Sequence, residues 1–138
     1  MKANRLRTSV NIALMAASVI VLGGSAPRGE HGIHLRLVRA EPAADSTVTV
    51  APKEIRLFFS EVPQIRVTTV RLVNATQQEI TVGEAKADAN DGKIVMAPIT
   101  VSVAPGTWTV SWRTMARDGH VVSGDYRFTL RPVQIPAR

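Results

Sequence analysis

From residue 35 onward, apolar side chains recur at alternate positions or in short runs, and no stretch sustains the three-and-four spacing of an amphipathic helix. The clearest case covers residues 107–114. Trp108, Val110 and Trp112 fall on one face there, and Thr107, Thr109, Ser111 and Arg113 fall on the other. Tyr126, Phe128 and Leu130 alternate in the same way with Arg127, Thr129 and Arg131, predicting a strand over 126–130. Further short strands are predicted over 35–38, 47–50, 54–60, 66–73, 79–82, 93–96 and 99–103. Turn residues separate them: Pro42, Pro52, Pro63, Asn74, Asn90-Asp91-Gly92, Pro98, Pro105-Gly106 and Asp118-Gly119. Short strands so spaced predict an all-β, two-sheet antiparallel sandwich of the immunoglobulin-like kind. Residues 84–92, the most polar stretch, read as a surface loop.

The amino terminus has a different pattern. Lys2, Arg5 and Arg7 precede an apolar run over residues 12–22, and small Gly23, Gly24, Ser25 and Ala26 follow, as in an export signal. The apolar run is short for a membrane span. The expected layout is a signal over 1–26, a linker or trimmed segment over 27–33, a sandwich domain over 34–131 and a tail over 132–138. The destination is outside the cytoplasm. A chain of 138 residues holds one such domain.

Charge and cysteine content narrow the chemistry. The whole chain carries a formal charge of +6, and removing residues 1–26 takes three basic and no acidic residues, leaving +3. The remaining Lys and Arg are scattered singly along alternating segments, so no nucleic-acid footprint is present. There is no cysteine, which rules out disulfides and thiolate metal ligands. Any metal must be held by nitrogen, oxygen or methionine sulfur. Met96 and Met115 are the two methionines downstream of the signal, too few for a methionine-rich basket for cuprous copper.

The loop between the two strongest strands carries the candidate chemistry. Asp118 and His120 stand two positions apart, with Gly119 between them free to adopt the backbone angles of a tight turn. Turn chemistry alone makes Asp118 a cap on backbone amides and His120 a solvent-exposed side chain. The other reading is a metal site displayed at the end of a sandwich. Trp108 and Trp112 share a face with Val110 and read as core. Met115 reads as packing beside the loop.

Four blocks in the chain resemble the CopC family of periplasmic copper-resistance proteins. They are residues 34–43 (His-Leu-Arg-Leu-Val-Arg-Ala-Glu-Pro-Ala), Pro52 with Leu57-Phe58-Phe59-Ser60-Glu61, residues 106–113 from Gly106 to Arg113, and Asp118-Gly119-His120 followed by Gly124 and Phe128. They occur in family order from His34 to about Leu130. The resemblance implies a cupredoxin-sized sandwich with Greek-key-like connections that binds Cu(II) in the periplasm and serves copper resistance, homeostasis or delivery. It also implies that His34, Asp118 and His120 are the metal ligands, His34 through both its ring and the free amine of a mature terminus. Imidazole and carboxylate donors suit tetragonal Cu(II), the tightest-binding ion of the divalent series for such ligands. A deprotonated amine strengthens the chelate, so affinity is expected to fall with pH. A membrane copper transporter of the CopD type is the implied protein partner.

Two departures from the family pattern bear on the site. A free amine on His34 requires a cut after Ile33, which would put His31 and Ile33 at the positions where signal peptidase needs small residues. The segment 27–33 is then either trimmed by another protease or retained. If it is retained the amine chelate is lost, and the imidazoles of His34 and His120, with His31 as a further donor, bind copper more weakly. The methionine and histidine cluster with which some relatives hold Cu(I) also has no counterpart between Pro63 and Pro98, so a one-site, Cu(II)-selective member is expected. Glu61 reads either as a solvated strand end or as a weak carboxylate beside the site.

Two other functions compete with copper carriage. One is an immunoglobulin-like interaction module without a metal. The other is a copper-dependent oxidative enzyme, since a terminal-histidine chelate also resembles the polysaccharide-cleaving copper oxygenases. Oxygenase activity calls for exposed aromatics on a flat face, whereas Trp108, Trp112 and Tyr126 lie on strands expected to be buried. No nucleophile triad or phosphate-binding loop is present. The chain therefore reads as a non-enzyme.

Overall fold

A computed structural model of the chain describes residues 34–133. The export signal, the segment 27–33 with His31, and the tail beyond residue 133 lie outside the described residues. Nine strands form: β1 (Leu37–Glu41), β2 (Ser46–Val48), β3 (Glu54–Phe59), β4 (Thr69–Asn74), β5 (Glu79–Ile80), β6 (Lys86–Ala87), β7 (Ile94–Pro98), β8 (Gly106–Met115) and β9 (Val121–Leu130). Among the described residues a 3-10 turn, Ile65–Val67, precedes β4. One sheet has the order β1-β3-β7-β6 and the other the order β2-β9-β8-β4-β5. The fold is an all-β sandwich.

Alternation builds the core. Ile55, Leu57 and Phe59 of β3 and Val95 and Ala97 of β7 turn inward from the first sheet. Leu72 of β4, Trp108, Val110 and Trp112 of β8, and Tyr126, Phe128 and Leu130 of β9 meet them from the second. Trp108 Nε1 donates to the Ala104 carbonyl at 2.8 Å, so its indole is buried with its polar atom satisfied. Phe59 and Trp112 pack edge to face, with centroids 5.2 Å apart and rings 75° apart, joining the two sheets. Both tryptophans are core residues, as their shared face predicts.

The structure departs from the sequence reading where local pattern gives no signal. Residues 84–92 are not wholly loop: Lys86 and Ala87 pair with Met96 and Val95 as an edge strand, with both side chains exposed. Residues 99–103 do not form a strand. Only Ile99 makes a bridge, to Val82, while Val103 is buried from irregular backbone. The predicted strand 66–73 begins at Thr69, because Ile65–Val67 turns first. Likewise β9 starts at Val121 rather than at residue 126. The β2–β9 pair is parallel in an otherwise antiparallel arrangement.

Candidate metal centre

The β8–β9 hairpin is the longest paired ladder among the described residues. Ten consecutive pairs run from Gly106↔Leu130 to Met115↔Val121. Only residues 116–120 remain to close it. The Ala116 amide donates to the His120 carbonyl at 2.8 Å and the Gly119 amide donates back to the Ala116 carbonyl at 3.0 Å. Gly119 has φ of +90°, a conformation that a residue with a Cβ rarely adopts. The expected tight turn at Asp118-Gly119 is present, and it sits on a rigid base.

Within this loop one carboxylate orders one imidazole. Asp118 Oδ1 accepts the backbone N–H of His120 at 3.0 Å, and Asp118 Oδ2 lies 2.8 Å from His120 Nδ1. The second contact favours the tautomer with its proton on Nδ1, which leaves Nε2 as the free donor. Both side chains are exposed, at 57% for Asp118 and 77% for His120. The bond from the His120 amide, followed by that from its ring, holds the Asp118 carboxyl below its ordinary value of 3.8. Asp118 is therefore both the amide cap that turn chemistry expects and the partner of a histidine ring nitrogen. A carboxylate behind an imidazole is the common support of a metal-binding histidine.

His34 approaches from the first sheet. It is exposed and directly precedes buried Leu35. Its carbonyl accepts a 3.3 Å hydrogen bond from the Ser60 hydroxyl, which also accepts the Arg36 amide at 3.1 Å. The Ser60 amide donates to the Arg36 carbonyl at 2.9 Å. Four residues later, the Gln64 amide donates to the Met115 carbonyl at 2.9 Å, and Gln64 Nε2 donates to the Ala116 carbonyl at 2.8 Å. Ser60 and Gln64 Cα atoms are at most about 14 Å apart even with the chain fully stretched. His34 and the Asp118–His120 loop thus lie at the same end of the sandwich.

Asp118 and His120 come together, whereas His34 does not join them. Among the described residues no three His, Asp or Glu side chains converge as a ready-made metal cluster. Glu61 is half-buried next to Ser60. Met115 is partly buried and pairs with exposed Val121 beside the loop. Sequence reasoning missed the supporting roles of Ser60 and Gln64. Each is a common polar residue near a strand end, and only its distant partners mark it out.

The class of protein defined here is a β-sandwich with an ordered Asp–His pair at one end of its longest hairpin. A CopC domain model matches residues 37–131, and the chain belongs to the CopC family. Protein YobA of Escherichia coli K12 is 34% identical over 98 residues, covering 71% of this chain and 79% of that protein. Copper resistance protein C of Xanthomonas campestris pv. juglandis is 25% identical over 122 residues, covering 85% and 95%. The crystal structure of CopC from Methylosinus trichosporium OB3b superposes with a TM-score of 0.68 at 27% identity, covering 75% of this chain and 100% of that one. That of PcoC, a methionine-rich copper resistance protein from Escherichia coli, gives 0.61 at 31% identity, covering 71% and 99%.

Proposed function

We propose that this protein is a periplasmic copper carrier that binds Cu(II) through His34, Asp118 and His120 and contributes to copper resistance, homeostasis or delivery, without enzymatic activity. The observation that carries this reading is the contact between Asp118 Oδ2 and His120 Nδ1 at the end of the rigid hairpin, which directs Nε2 outward as a metal donor. Nitrogen and carboxylate donors with no thiolate suit Cu(II). In this structure the Asp118 carboxylate sits on the Nδ1 side of the ring and orients it, so to join the ion at Nε2 as a ligand Asp118 must first turn away from Nδ1. Relatives named for copper resistance support the same assignment. PcoC is described as methionine-rich, while this chain has four methionines in all, which supports a preference for the cupric ion.

A one-to-one Cu(II) titration of the exported protein followed by paramagnetic resonance tests the reading. Nitrogen-rich tetragonal coordination is expected, weakened strongly by His120→Ala and weakened as pH falls, because protons compete with copper for the imidazole nitrogens. No binding at micromolar copper refutes it. One observation favours a second reading, an interaction module without metal that docks on a CopD-type membrane transporter. The three expected ligands are not gathered in the described structure. A melting temperature unchanged by Cu(II) would select that alternative, since any ligand of the native state must raise it.

A further inference from the structure

We propose that the connection between β3 and β4 is a clasp that sets the copper site, with Ser60 and Gln64 as its two positioning residues. The inference rests on the ligand assignment made above and concerns residues that do not themselves touch the metal. His34 is carried by the first sheet and the Asp118–His120 loop by the second. Their separation therefore depends on whatever ties the two sheets together at this end.

The connection supplies that tie. The β1–β3 ladder begins at Leu37↔Phe59, so residues 34–36 lie beyond it. Ser60 extends the pairing past the ladder through its amide to Arg36 O and its hydroxyl, which bridges Arg36 N–H and His34 C=O. At the other end, Gln64 donates twice, to the carbonyls of Met115 and Ala116, the residues from which the Asp118–His120 loop departs. Gln64 is itself held. Its carbonyl accepts the Thr68 hydroxyl at 2.9 Å, and Thr68 Oγ1 lies 2.6 Å from Thr114 Oγ1 in the buried interior. Buried Pro63 stiffens the short span between the two anchors. The His34 side chain is exposed on a backbone held by Ser60, so the clasp limits the region its ring can reach.

The test measures Cu(II) affinity by chelator competition, together with paramagnetic resonance, on exported wild-type protein and on Ser60→Ala, Ser60→Thr and Gln64→Ala. Ser60→Ala is expected to weaken binding about tenfold or more, the usual effect of removing a group that orients a metal ligand. It should also lower the number of nitrogens in the resonance pattern while the copper-free melting temperature changes little. Ser60→Thr, which keeps the hydroxyl, should restore both. In double-mutant cycles Ser60→Ala should couple to His34→Ala, and Gln64→Ala should couple to His120→Ala. Wild-type affinity in Ser60→Ala and Gln64→Ala, or equal losses in Ser60→Ala and Ser60→Thr, overturns the clasp. Wild-type affinity in both His34→Ala and His120→Ala instead overturns the ligand assignment, so the two failures are distinguishable.

Discussion

Gly124 offers a sharp test of how the hairpin is packed beneath the candidate site. It pairs with Trp112 across β8 and β9. A Cβ placed on it would lie 2.9 Å from Trp112 Cζ2, 3.1 Å from Cε2 and 3.3 Å from Nε1. These atoms belong to a rigid indole whose ring also meets Phe59 edge to face, so it cannot yield as the end of a flexible chain would. Overpacking of this kind costs about 1–3 kcal/mol. Replacing a strand glycine by alanine returns about 0.5–1 kcal/mol of backbone entropy. Gly124→Ala should therefore destabilise the domain by a net of about 1 kcal/mol within a range of roughly 0–2.5, a fall of roughly 4–8 °C in Tm at the central value for a domain of this size. Thermal unfolding followed by circular dichroism and by tryptophan fluorescence reads the change. In a cycle with Trp112→Leu most of the methyl's cost should vanish, because the smaller side chain vacates the contact. A Gly124→Ala protein that melts at or above the wild type refutes the packing argument.

Two further outcomes follow from polar groups of the β8–β9 hairpin. Tyr126 is 8% exposed, its hydroxyl has no partner among the described residues, and burial pushes its ionisation far above the ordinary value of 10.0. Tyr126→Phe removes an unsatisfied polar atom, so stability by chemical denaturation should stay level or rise by about 1 kcal/mol; a loss of that size would reveal a partner for the hydroxyl. In the copper-free protein Asp118 has a lowered pKa because it accepts the His120 amide and contacts the ring. Its stabilising contribution is thus complete above the unfolded carboxylate value near 3.9, and is lost as pH drops through the lower folded value. By nuclear magnetic resonance the His120 amide should report an acid transition below 3.8 that Asp118→Asn abolishes; a midpoint at or above that value contradicts the bonded geometry.

Much of the sandwich is visible in the order of residues because the β pleat is local. Alternate side chains point to opposite faces, so Trp108, Val110 and Trp112, and Tyr126, Phe128 and Leu130, announce both the strands and their buried sides. The Asp118-Gly119-His120 turn is equally local, since a carboxylate two residues before an amide can cap it and glycine accepts the backbone angle. Tertiary structure alone decided the rest. The parallel seat of β2 against β9, the exposed edge strand Lys86–Ala87 and the burial of Val103 away from any strand depend on which segments become neighbours. Ser60 and Gln64 reach partners 26 and 52 residues away, and hydrogen bonds across such distances leave no periodic trace in the chain. Local chemistry determined that Asp118 caps the turn beside His120, and the CopC resemblance named the candidate ligands; packing between the sheets decides how near those side chains come.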